Sequence, residues 1–189
     1  NVLNGSEWPG MFGNYEYYPL RDLLQSYLMK DGTPYTSTNA YQTNSFVKEF
    51  ENRDPRLSQT YAFPGWELIY SSTYSQGAGI YVQQLAKNFS GYHQIKGFLN
   101  TLSLERRRNN DIPLYRYAEV LLNYAEAKAE LGTMTQQDLD KTINLLRDRA
   151  GMPHLVTTVS VDPLLKNQYP LVNGVQQNLI LEIRRERRV

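Results

Sequence analysis

The segment from Asp111 to Pro153 constrains the fold of this 189-residue chain more than any other. Asp111 can act as an N-cap and Pro113 is tolerated in a first turn, after which Ala, Leu and Glu dominate as far as Gly132. Leu114, Tyr117, Ala118, Leu121, Leu122, Ala125 and Ala129 fall on one side of that helix, and Gly132 stands where a left-handed residue closes it. A second helix is predicted at once. Thr135 and Asp138 form a capping pair, Leu139, Ile143, Leu146 and Ala150 recur at spacings of 4, 3 and 4, and Gly151 and Pro153 stop the chain. Two helices joined by so short a link pack antiparallel.

Gly132, Leu139, Ile143, Leu146 and Pro153 also meet part of the tetratricopeptide pattern, with a turn about two residues longer than usual. A single unit of this kind cannot bury both faces, so helical neighbours are expected. No second copy is visible and the chain does not begin with Met, so we expect it to be the carboxy-terminal part of a longer protein.

Residues 1–110 are of another character, rich in Gly, Tyr, Ser and Asn. One short helix is expected over Leu20 to Lys30, with Leu20, Leu23, Leu24, Tyr27 and Leu28 on one face and Asp31-Gly32 ending it. Residues 154–177 read as irregular or weakly extended, and a helix starting near Asn178 runs on through the arginine-rich end. The expectation is one mainly α domain in three parts: a loop-rich, ligand-facing region 1–110, a tetratricopeptide-like hairpin 111–153, and a segment 154–189 ending in a helix. Long irregular binding loops would stand on the helical scaffold.

Composition excludes several function classes. A net charge of +1 with 21% charged residues suggests neither disorder nor nucleic-acid binding. Cysteine is absent, which removes disulfides, thiolate metal sites and a cysteine nucleophile. No apolar run approaches the roughly 20 residues a membrane helix needs, and NVLNGSEWPG has no signal-peptide character. Nucleotide, dinucleotide and serine-hydrolase loops are likewise missing.

One constellation looks chemical. Glu119, Asn123, Glu126 and Glu130 line one helical face, and paired carboxylates are what glycoside hydrolysis or a bridged metal site requires. The two histidines, His93 and His154, lie elsewhere, and Arg116, Arg147 and Arg149 are close enough in sequence to be ion-pair partners. We therefore expect no catalytic residue, metal or cofactor. Arg184 to Arg188, interleaved with Glu182 and Glu186, are expected to pair within the molecule. His93 reads as a structural residue.

The unusual stock is 15 tyrosines beside two tryptophans. Aromatic faces with polar rims suit hydroxyl-rich, amphipathic ligands such as sugars, although tyrosines also pack beneath loops. Tyr61 and Trp66, followed by Tyr70, Tyr74 and Tyr81, could form a stacking platform, and so could Trp8 with Tyr15, Tyr17 and Tyr18. Trp66, Tyr61, Tyr70, Tyr74, Tyr81 and Trp8 are the candidate ligand-binding residues.

Six segments in order resemble one family. Asp111 to Ala127, reading DIPLYRYAEVLLNYAEA, looks like the hallmark helix of SusD/RagB proteins. Tyr27 to Gly32 resembles the family's Tyr-x-Met-x-Asp-Gly turn, Asn52 to Leu57 its Arg-Asp-Pro-Arg stretch, and Gly91 to Lys96 its Gly-Tyr-x-x-x-Lys strand. Ile143 to Gly151 is similar to Ile-Asn-x-x-Arg-x-Arg-Ala-Gly, and Ile183 to Arg188 to the start of an Ile-x-x-Glu-Arg helix. The resemblance implies a non-catalytic lipoprotein on the outer-membrane surface of a Bacteroidota-type bacterium. It would bind glycans or oligosaccharides and hand them to a SusC-like TonB-dependent transporter, held to the membrane by an N-terminal lipid outside this chain. The alternatives are a RagB-like surface protein that binds peptides and a glycosidase using Glu119 and Glu126.

Overall fold

A computed structural model describes residues 18–69, 79–81, 89–96, 100 and 113–189. It divides into two compact units interleaved in sequence, one of residues 1–24, 44–51 and 57–114 and one of residues 25–43, 52–56 and 115–189. The described residues are mainly α-helical. Helices α1 (Arg21–Ser26), α2 (Phe46–Glu49) and α3 (Pro55–Thr60) come first. They are followed by two-residue antiparallel strands β1 (Glu67–Leu68) and β2 (Gly79–Ile80), with Glu67 opposite Ile80. The second unit holds α4 (Tyr117–Glu130), α5 (Gln136–Asp140), α6 (Ile143–Ala150), α7 (Pro163–Gln168), which falls in the stretch 154–177 expected to be irregular, and α8 (Gln177–Arg188).

The second unit is organised by the hairpin. Helix α4 begins at Tyr117 with Arg116 in extended conformation as its N-cap, later than an Asp111 cap would place it, and Asp111 itself lies outside the described residues. The predicted stripe is correspondingly shortened. Leu121, Leu122, Ala125 and Ala129 are buried, whereas Leu114 and Tyr117 are 86% and 72% exposed. Gly132 has φ +68° just past the helix, where a Cβ would be strained. The Thr135 cap is present in full, its Oγ1 accepting from Asp138 N at 3.2 Å while the Asp138 carboxylate accepts from Thr135 N at 3.0 Å. The Asp138 carboxylate also accepts from Thr135 Oγ1 at 2.7 Å, and that bond together with the one from Thr135 N holds the carboxyl down at about 2.

The expected second helix is two pieces. Thr142 leaves helical geometry at φ −130° and ψ −91°, and its Oγ1 donates to Asp138 O at 2.6 Å, taking a carbonyl that an unbroken helix would bond through Thr142 N. Leu139 and Ile143 flank the break and are both wholly buried. They join Leu179, Ile180, Leu181 and Ile183 of α8 in one core. Helix α4 packs more extensively on α8 than on α6, so α8 supplies a helical neighbour that the hairpin lacked. Each of these aliphatic side chains contributes about 1.5–3 kcal/mol on burial.

The helix expected over Leu20 to Lys30 ends at Ser26. Leu28 bridges Pro34 and Met29 bridges Arg53, so Asp31-Gly32 turns a tight hairpin instead of closing a helix. Met29 N donates to Thr33 O at 2.8 Å, Gly32 has φ +87°, and Asp31 Oδ1 accepts from Thr33 N at 2.9 Å.

Candidate functional site

In the first unit, Phe63-Pro64-Gly65-Trp66 forms a turn closed by Trp66 N donating to Phe63 O at 2.9 Å. Proline sets the second residue, and Gly65 at φ +89° occupies the third, the sequence signature of a type II turn. A Cβ on Gly65 would meet nothing within 4 Å, so the constraint is backbone conformation alone. Gly65→Ala is expected to cost about 1–2 kcal/mol through that strained φ. Thermal unfolding checks it, and an unchanged midpoint would contradict the assignment.

The turn delivers Trp66 half-buried to the edge of a ring cluster. Its ring meets Tyr81 edge-on at 6.3 Å, and Tyr81 also meets Phe46 at 6.1 Å and His93 at 5.5 Å. Tyr81 OH donates to Gly91 O at 2.8 Å, and Tyr81 N donates to Trp66 O at 2.7 Å. Below this layer Phe46 lies 5.9 Å from Tyr92, whose hydroxyl donates to the buried carboxylate of Glu49, which also receives Arg21. These bonds and edge-on contacts fix the ring that supports Trp66.

The predicted platform is therefore narrower than its sequence suggested. Tyr61 and Tyr81 are 4% and 7% exposed, so neither presents a face for stacking. Their apolar rings fill the space between short elements, as loop-bound tyrosines do where regular structure is scarce. Trp66 is only partly buried, while Trp8, Tyr70 and Tyr74 lie outside the described residues. Sequence reading missed Phe89, which is 71% exposed and stands edge-on to Tyr18 at 5.9 Å. Nothing in the sequence announced this outward ring.

On the polar face of α4, Asn123, Glu126 and Glu130 are occupied by arginines. Glu126 accepts from Arg184 Nε at 3.1 Å and Arg187 Nη2 at 3.0 Å, Glu130 from Arg184 Nη2 at 3.0 Å, and Asn123 from Arg187 Nη2 at 2.8 Å. The partners come from α8 and not from Arg116, Arg147 or Arg149, because α8 is the helix that packs on α4.

A deeper set of charges is sealed inside the second unit. Arg147 of α6 donates to Glu186 at 3.0 Å and lies 3.6 Å from Glu182. Arg185 pairs with Asp162 and with Glu182, and Arg56 joins Asp54 to Glu186. All of these except Arg56 are under 7% exposed. Burial pushes the Glu182 carboxyl up, against the opposing pull of Arg185 and Arg147. Burial also works against the Arg56 charge, but the bond to Asp54 and the charge of Glu186 outweigh it and raise its pKa. Nearby, Arg53 stacks 3.7 Å over Tyr35 and donates to Tyr27 O at 2.9 Å.

A model of the SusD family matches residues 4–189. The chain belongs to the SusD family. A SusD-like carbohydrate binding protein from Bacteroides fragilis NCTC 9343 is similar to it in structure, with a TM-score of 0.62 and 25% identity over 95% of this chain and 35% of that one. A SusD-like protein from the same strain shares the fold, with a TM-score of 0.52 and 23% identity over 94% of this chain and 40% of that one. The chain thus spans well under half the length of either. No curated protein matches it. Three of the segments resembling SusD motifs now have a physical role. Asp54 and Arg56, Arg147, and Arg185 with Glu186 stand in three different segments, and they are the charges that meet in the buried network.

Proposed function

We propose that this SusD-family chain is part of a non-catalytic surface protein that binds glycans and delivers them to a SusC-like TonB-dependent transporter. In this reading residues 1–110 face the ligand, and an N-terminal lipid outside the chain holds the protein to the outer membrane. The observation that carries the reading is Trp66, held half-buried by a Pro-Gly turn against rings that fix it. An aromatic face fixed before the ligand arrives stacks on a sugar ring at little entropic cost. The carbohydrate-binding description of one B. fragilis neighbour points the same way. Phe89 with Tyr18 adds a second exposed ring, and Trp8, Tyr70 and Tyr74 stay candidates on their sequence alone. Glu126 and Glu130 are committed to arginines, which favours scaffolding over a hydrolysis that would need Glu126 free.

A glycan array probed with the full-length protein tests the ligand class, and binding to peptides with no glycan retained would overturn it. For the glycan found, Trp66→Ala is expected to weaken binding by roughly 1–3 kcal/mol, or about 5- to 150-fold in Kd by titration calorimetry. Unchanged affinity would remove Trp66 from the site.

A further inference from the structure

The connection between α7 and α8 carries Asn173-Gly174, and it leaves open the atoms through which an asparagine reacts with its own backbone. Both residues are exposed. Gly174 O accepts from Gln177 N at 3.4 Å, whereas Gly174 N donates to no acceptor among the described residues, and the Asn173 side-chain amide is equally uncommitted there. Gly174 has φ +103°, and a Cβ built on it would meet nothing within 4 Å, so the space beside this backbone is clear. Two neighbouring asparagines are the contrast. Asn144 is wholly buried with its amide bonded to Asp140 and to Leu155 O, and Asn178 Nδ2 is held by Thr157 O and Val159 O. Each is followed by a leucine, whose side chain shields the next nitrogen, and glycine has no such shield.

We propose that Asn173 is a site of spontaneous deamidation in the folded protein, and that its isoaspartate product strains the start of α8. Gly174 N, on losing its proton to base, bonds to Asn173 Cγ, the Cγ–Nδ2 bond breaks, and ammonia leaves with a proton. Water then opens the resulting succinimide at one of its two carbonyls, leaving aspartate or isoaspartate with one added negative charge. The two products differ in what they do to the turn, because it is pinned on both sides. Val172 is buried in the core, and Gln176 is tied to the tip of the hairpin, its Nε2 donating to Met134 O at 2.8 Å and its Oε1 accepting from Met134 N at 3.0 Å. Aspartate leaves the backbone between these anchors unchanged. Isoaspartate routes the main chain through Cγ and so lengthens it by an atom, which pulls on the Gln176 bonds. This inference does not depend on the glycan reading.

The test ages full-length protein carrying Asn4→Gln, which removes the chain's other Asn-Gly pair, in mildly alkaline buffer. Peptide mass spectrometry with electron-transfer fragmentation follows position 173 and separates isoaspartate from aspartate. Deamidation at Asn173 is expected in the folded protein at a rate comparable to that in the guanidinium-unfolded protein, and Asn173→Gln should lose the signal. The melting temperature of the aged protein should fall as isoaspartate accumulates, while aged Asn173→Gln and freshly prepared Asn173→Asp melt as the unaged parent does. A folded protein that keeps Asn173 intact while the unfolded one deamidates overturns the site. Isoaspartate at position 173 with an unchanged melting temperature, or an equal fall in aged Asn173→Gln, overturns the strain on α8.

Discussion

Replacing Arg147 by methionine is expected to lower the unfolding free energy by about 3–5 kcal/mol, because it leaves Glu182 and Glu186 buried beside less positive charge than they need. Methionine keeps most of the volume, so the loss is electrostatic and not a cavity. The pH dependence separates these causes. Glu182 is already pushed above the ordinary carboxylate range by burial, and removing Arg147 removes one of the two cations that oppose the shift. A carboxyl whose folded pKa is raised contributes stability that is fully present below its unfolded pKa and is lost as pH rises through the folded value. The penalty of Arg147→Met should therefore be larger at pH 7 than near pH 4. Denaturant unfolding of both proteins at the two pH values measures it, and an equal penalty at both would contradict the network account.

Ile143→Ala is expected to cost about 2–5 kcal/mol, since Ile143 is wholly buried between α6 and the α8 side chains and truncation leaves a cavity. Leu145, two residues along the same helix and 48% exposed, is the control, and Leu145→Ala should stay within roughly 0.5 kcal/mol. Chemical unfolding of the pair decides the matter. Similar losses would mean that α6 does not bury the face assigned to it.

The hairpin was legible because its signals are local. Thr135 needs only Asp138 to form a capping box, Gly132 and Gly151 need only to tolerate φ near +68°, and the apolar spacing of Leu139, Ile143 and Leu146 needs only a helix to align it. The break at Thr142 was not legible, because the side-chain bond that makes it competes with an equally plausible unbroken helix. The early end of α1 has the same origin: Tyr27 and Leu28 carry a helical pattern, but Leu28 and Met29 find β partners at Pro34 and Arg53.

The candidate site divides in the same way. The Pro-Gly turn before Trp66 could be read from four adjacent residues, whereas the burial of Tyr61 and Tyr81 follows from rings and backbone tens of residues away. Arginine and glutamate at the chain's end announced ion pairing, but their partners could not be inferred from i,i+4 spacing. Arg56 reaches Glu186 across 130 residues, and Arg184 reaches Glu126 across 58. By itself, then, the sequence determined the mainly α character, the Thr135 cap, the glycine stops at Gly132 and Gly151 and, segment by segment, the family resemblance, each signal carried by residues within a few positions of one another. Only the tertiary structure decided which aromatic rings keep an exposed face and which charges are sealed together, because burial and long-range ion pairing depend on how distant segments pack.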